Sequence, residues 1–306
     1  MSWISSLERF QKDYRDWQQE YTLHDIAAEI RDAALAVTMK RLGKRNLLGV
    51  LVDALDYEGA VEMILEAACL RRSFGATALA VHGLMTGAHD RVHRYRLNSL
   101  DLVAPDGQPV RWALNMAHNT GLEDRVYGPT LMLRLCQEAS SRDLSVYLYG
   151  SRRDVVEALA RSLVAQFPEL RIVGIEPSTF GTLSQDEQTA LVSRIQQSGA
   201  NLLFVGLGCP RQEVFVYEFR DALSLPVVAV GAAFDYHAGF LCQPPLWIQR
   251  VGLQWLHRLI HEPGRLWRRY LLNNAAFVLQ FSLQLAGLTC PDPADADHPL
   301  HPRLFG

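Results

Sequence analysis

Trp3, Leu7, Phe10, Tyr14, Trp17 and Tyr21 recur at intervals of four, three, four, three and four residues on a polar background. That spacing draws one stripe down a helix, a heptad-like seam, and predicts a helical arm over residues 1–45. Such a seam suits packing on the rest of the chain, pairing with a second copy as a homo-oligomer, or resting at a lipid interface. From Asn46 the texture changes. Short apolar or β-branched runs at Leu47–Val52, Ala78–Val81, Leu100–Ala104, Val146–Tyr149, Arg171–Ile175, Leu202–Gly206 and Val227–Val230 read as buried strands. Between them Glu58–Arg72, Thr130–Arg142, Arg153–Gln166, Ser184–Gln197 and Gln212–Leu223 carry the helical period. Alternation of this kind predicts an α/β fold over residues 46–245, a mostly parallel sheet with helices on both faces. Beyond it, Trp247–Ile260 and Arg265–Leu288 read as a helical appendage broken at Pro263, over residues 246–288. Residues 289–306 hold Pro291, Pro293, Pro299 and Pro302 without an apolar period and predict a disordered tail.

The balance of 33 acidic against 30 basic side chains gives a net charge of −3, which is no electrostatic footprint for nucleic acid. The charge is uneven, however. Arg250, Arg258, Arg265, Arg268 and Arg269 face only Glu262 between residues 250 and 270. Five cysteines form no CxxC pair and read as reduced thiols of a cytoplasmic protein. No secretory signal opens the chain. The most apolar stretch, Leu271–Leu288, is interrupted by Asn273, Asn274, Gln280, Ser282 and Gln284, which suits an interface or a groove better than a membrane crossing.

In such a sheet ligands gather where strands end, so the loops after strands hold the candidate chemistry. Asp106-Gly107 follows one strand. An aspartate there is ionised at neutral pH, with an ordinary pKa of about 3.9, and can take a proton; its alternative role is to cap the next helix. Val205-Gly-Leu-Gly208-Cys-Pro210-Arg-Gln212-Glu213 runs from strand through glycine turn into helix, where unpaired first-turn amides suit a phosphate or a nucleotide; a tight turn with a surface glutamine is the alternative. It matches neither GxGxxG nor a P-loop, which argues against a nicotinamide dehydrogenase. Gly231, Asp235 and His237 follow a third strand. Two polar groups with no third nearby make a poor metal site, and Asp235 reads better as an anchor or a sugar contact. Arg125 before Gly128 suits a phosphate or a surface salt bridge. Tyr149-Gly150-Ser151 ends another strand. Arg258, Arg265 and Arg268 can converge on one anion, a diphosphate fitting both geometry and charge; a solvated basic face is the alternative.

Together these residues resemble the WecG/TagA/CpsF family of bacterial glycosyltransferases, glycosyltransferase family 26. The resemblance runs from about Asn46 to Tyr270 and is strongest in GLGCPRQE, VGAAFDYHAG and PPLWIQRVGLQWLHRLIHEPGRLWRRY. It implies a Rossmann-like domain with a membrane-associating appendage, on the inner face of the cell membrane. It also implies inverting transfer of an N-acetylhexosamine or its uronic acid, such as ManNAc or ManNAcA, from a UDP-sugar to a polyprenyl-diphosphate-linked sugar, with no cofactor and no required metal. By the same resemblance Asp106 is the general base, Pro210, Gln212 and Glu213 lie near the nucleotide-sugar, Arg125 and Gly128 form the arginine–glycine turn, and Arg258, Arg265 and Arg268 meet the lipid diphosphate. Family members often carry Thr-x-Asn at the end of the strand before Asp-Gly. Here that strand ends Ala80-Val81-His82-Gly83, so His82 takes the asparagine's place or the acceptor differs. The alternative function, a non-catalytic nucleotide-sugar-binding scaffold, rests on that departure alone.

Overall fold

A computed structural model describes residues 40–261, 263–301 and 305–306; the amino-terminal aromatic seam falls outside the described residues. The described chain opens with β1 (Arg41–Leu47) and β2 (Val50–Leu55), then α1 (Tyr57–Cys69), β3 (Phe74–Leu79), α2 (Val81–His89), α3 (Arg91–Asn98) and β4 (Leu102–Pro105). It continues through α4 (Gln108–His118), α5 (Gly128–Ser141), β5 (Ser145–Gly150), α6 (Arg153–Gln166), β6 (Arg171–Glu176), α7 (Gln185–Gln197) and β7 (Leu202–Gly206). There follow α8 (Arg211–Leu223), β8 (Pro226–Ala229), α9 (Ala233–His237), α10 (Leu246–Arg250), α11 (Gln254–His261) and α12 (Pro263–Leu285).

Six strands form a parallel sheet in the order β4-β3-β8-β7-β5-β6. β5, β7 and β8 are buried along their whole length, because helices cover both faces and leave no solvent side for alternation to record. The edge strand β6 is half-exposed. Helix α8 packs through Phe215, whose ring stacks on Tyr149 of β5 at 4.9 Å and on Phe219 at 4.2 Å.

Three expectations change. The run at Leu47–Val52 is not a strand of the parallel sheet but two arms of an antiparallel hairpin. Leu48 and Gly49, at φ +55° and +86°, form the two-residue turn whose twist suits a hairpin. The helix expected over Trp247–Ile260 breaks into α10 and α11 at Gly252, which has φ +75°. A β-carbon at Gly252 would also stand 2.7 Å from the Trp112 ring. The proline-rich stretch from Pro291 to Asp297 is held on the domain rather than disordered: the Asn46 amide donates to the Pro291 carbonyl (2.7 Å), the Asn98 amide to that of Pro293 (3.3 Å), and Arg91 forks onto Asp297 (2.9 and 3.1 Å). Its backbone carbonyls find donors on the domain, which an apolar period would not reveal.

Helix α12 lies against α2 with its polar stripe inward. Phe277 and Phe281 are buried and stacked at 5.7 Å. Gln280 donates to His89 (2.8 Å), and Gln284 donates to the Asn46 carbonyl (3.2 Å) while accepting from the Leu48 amide (2.9 Å). The opposite side exposes Leu271, Leu272, Val278, Leu279 and Leu285. Among the described residues no helix is long and apolar enough to cross a membrane.

Candidate active site

A cavity of about 750 Å³ opens at the carboxyl ends of β3, β4, β5, β7 and β8 and is roofed by α11 and α12. His82, Asp106, Gly107, Arg125, Gly208, Gln212, Glu213, Gly231, Asp235 and Arg258 line it together.

Asp106 stands where β4 ends. Its amide donates to the Leu79 carbonyl (3.1 Å), pinning the turn to β3. Gly107 takes φ +99°, a backbone region that strains any L side chain, and is itself the cap of α4. Asp106 therefore does not cap the helix; its carboxylate accepts from the Gly128 amide. Burial raises its pKa to about 6, against the opposing pull of Arg125, the Gly128 N–H and Arg258. A carboxylate poised just below neutrality is ionised at pH 7 yet basic enough to take a proton in a transition state.

The loop between α4 and α5 carries Arg125. Asp124 accepts from the Gln108 amide (3.0 Å) and from the Arg125 backbone (2.8 Å), and the Val126 amide donates to the Pro105 carbonyl (2.9 Å). The Arg125 side chain, 5% exposed, lies 4.4 Å over the Tyr127 ring and donates to Gln249 of α10 (3.2 Å). Gln254 of α11 donates to the Tyr127 hydroxyl (2.5 Å), and Arg258 of α11 lies 5.9 Å from the Tyr236 ring. The Asn273 amide of α12 donates to His82 Nδ1 (2.8 Å). The appendage thus closes the site through Gln249, Gln254, Arg258 and Asn273.

On the β7 side, Gly208 turns at φ +75° with open space where a side chain would stand. Gln212 and Glu213, 3% and 1% exposed, open the first turn of α8. The Glu213 carboxyl accepts from the Gln212 amide (2.9 Å) and the Thr77 hydroxyl (3.2 Å), and burial pushes its pKa up. Gln212 Oε1 is buried beside Gly231 with no partner among the described residues. A buried acceptor left empty costs about 1–3 kcal/mol, and here it lies against the cavity wall, placed for a ligand N–H or O–H.

Some singled-out residues act from behind that wall. Gly128 must be glycine because a β-carbon would meet the Val230 carbonyl at 2.9 Å, and Gly150 because one would meet the Gly206 backbone at 3.0 Å. Pro210, after a cis peptide bond, caps α8. Arg265 and Arg268 belong to the first turns of α12, but their side chains fall outside the described residues. His237 donates to the Pro129 carbonyl (2.9 Å), and burial lowers its pKa to about 4. Among the described residues no three His, Cys, Asp or Glu side chains gather as a metal site would need. Sequence reasoning missed Tyr127, Tyr236, Gln249 and Gln254 as site residues; only the placing of Tyr127 between Arg125 and Gly128 gave a signal.

The chain is similar in sequence to known proteins. An N-acetylglucosaminyldiphosphoundecaprenol N-acetyl-beta-D-mannosaminyltransferase of Bacillus subtilis (strain 168) is 28% identical over 183 residues, 60% of this chain and 69% of the relative. The protein of that name from Bacillus spizizenii is 29% identical over 176 residues, 57% of this chain and 66% of the relative. The model of the Glycosyl transferase WecG/TagA/CpsF family matches residues 45–290, the span that holds every strand of the sheet, the cavity and the helices that roof it, and the chain belongs to that family.

Proposed function

We propose that the protein is an inverting hexosyltransferase that moves an N-acetylhexosamine, or its uronic acid, from a UDP-sugar to a sugar carried on polyprenyl diphosphate. The observation that carries this reading is Asp106, a carboxylate that lines a strand-end cavity together with Arg125 and Arg258 and whose pKa burial raises to about 6. The names of the two relatives support the substrate class: an N-acetylmannosaminyl group passed to N-acetylglucosaminyl diphosphoundecaprenol. In this mechanism Asp106 takes the proton of the acceptor hydroxyl as its oxygen bonds to the anomeric carbon. The bond from that carbon to the diphosphate breaks on the opposite face, and UDP leaves with the electron pair. Arg125 offsets charge on the departing diphosphate, and no metal is required for that role. Arg258, with Arg265 and Arg268, receives the diphosphate of the acceptor. The exposed apolar side of α12 rests on the inner membrane surface.

The test joins two measurements on the full chain. UDP is expected to raise the melting temperature of wild type, since it binds the folded state alone. Wild-type kcat/KM is expected to rise with pH to a plateau above about 6, and Asp106→Asn to lose about 10²–10⁴-fold in kcat while still binding UDP. Transfer by Asp106→Asn at near wild-type rate removes Asp106 as the base.

A further inference from the structure

The family match ends at residue 290, yet the chain beyond it reaches the cavity rim. After the contacts of Pro291 to Asp297 with the domain, Phe305 forms an antiparallel bridge with Thr182. The Gly306 amide donates to the Gly181 carbonyl (3.2 Å), and the Ser178 hydroxyl donates to the Gly306 main-chain oxygen (2.5 Å). The Arg211 guanidinium lies over the Phe305 ring, 5.6 Å from its centroid, and donates to the Phe180 carbonyl (3.3 Å). These bonds surround one residue. Phe180 sits at φ +56°, a region a bulky side chain avoids unless its surroundings hold it there. Its ring is 46% exposed and lines the cavity. The same rim carries Phe240, half-exposed, with the Arg152 guanidinium 5.6 Å from its ring centroid. Two exposed aromatic side chains on the cavity lining suit a planar ring.

We propose that Phe305 is a positioning residue for the nucleotide end of the site: bridged to Thr182 and lying under Arg211, it holds Phe180 as a wall for the base of the donor. This rests on the reading of the donor as a UDP-sugar. Without Phe305 the turn at residues 178–182 loses one side of its support, and Phe180 relaxes out of the left-handed region and away from the rim.

Calorimetric titration of the full chain with UDP tests it. Phe305→Ala is expected to raise Kd about tenfold, from strain of the usual size for such a residue, with kcat at saturating donor nearly unchanged. Phe305→Tyr keeps a ring beneath Arg211 and is expected to bind as wild type. Phe305→Leu keeps most of the side-chain volume beneath Arg211 while both variants keep the main-chain bridge; it gives a smaller rise and serves if the alanine variant does not fold. Phe180→Ala is expected to weaken UDP by as much as Phe305→Ala, and the double variant to be no worse than Phe180→Ala alone, because one residue acts through the other. Unchanged Kd in folded Phe305→Ala or Phe305→Leu overturns the inference while leaving the donor reading intact, as do additive effects in the double variant. Failure of wild type to bind UDP overturns both.

Discussion

Asp106→Asn should do more than stop turnover: it should stabilise the fold, and only where the carboxyl is charged. The folded-state pKa of about 6 stands above the ordinary 3.8, so folding favours the protonated form. Below about pH 4 both folded and unfolded chains hold the proton and burial of the group carries little penalty. Between about 4 and 6 the unfolded chain releases its proton while the folded chain keeps it, and stability falls as pH rises. Above about 6 the folded chain must release it too, and the loss is complete. A shift of about two units at 1.36 kcal/mol each amounts to about 3 kcal/mol. Asparagine keeps the size of the side chain and an acceptor for the Gly128 amide, without charge to bury. The variant should therefore gain about 3 kcal/mol at pH 7.5 and under about 1 kcal/mol at pH 4. In a chain of this length each kcal/mol moves the midpoint by about 1.5–2 °C, so thermal melts of both proteins at the two pH values resolve the difference. Equal gains at both pH values, or none at pH 7.5, would refute the argument that the charge at Asp106 is held against the fold.

Two further outcomes follow from the same geometry. Glu213→Gln should cost less than Glu213→Ala, because it keeps an acceptor for the Gln212 and Thr77 donors and removes a charge that burial disfavours; Glu213→Ala should cost about 1–3 kcal/mol by stranding those donors, read by denaturant unfolding. Leu271→Ser with Leu279→Ser, both on the exposed side of α12, should reduce sedimentation with vesicles of anionic phospholipid while leaving the melting temperature unchanged; undiminished sedimentation would remove that face as the contact.

The central strands of the parallel sheet were legible because burial on both faces makes them continuous apolar runs; Leu202–Gly206 appears in the structure as read, and Ala78–Val81 lies displaced towards the end of β3. Helix α2 was not legible. Ala80-Val81-His82-Gly83 reads as the end of a strand, yet Val81–His89 is helical; a β-carbon at Gly83 would meet Leu79 at 2.4 Å and one at Gly87 would meet Leu97 and Val50 at 2.8 Å. Those glycines record how closely the helix is pressed to β3 and the hairpin, a tertiary demand that overrides propensity. In the site, the residues on glycine-rich strand ends stood out because such turns need particular backbone angles. The contacts from α10, α11 and α12 did not, because a glutamine on a helix carries no local mark of what it will meet.

Helix α12 shows why those hidden contacts matter. Asn273, Gln280 and Gln284 face the domain beside the buried rings of Phe277 and Phe281, while Leu271, Leu272, Val278, Leu279 and Leu285 face out, so apolar side chains occupy both sides of the helix, unlike one with only a core to cover. Asn273 meets His82 on the cavity side, while Leu271 and Leu272 beside it are exposed. A helix with its side chains is about 10–12 Å across, and α12 has the cavity on its Asn273 side and exposed leucines on the other. A diphosphate joining the two would lie along the edge of the helix, beside Arg258. On the proposed reading, one helix therefore meets two needs that no strand-end loop can meet alone: it closes water out of the cavity and brings the lipid that carries the acceptor within reach of the base.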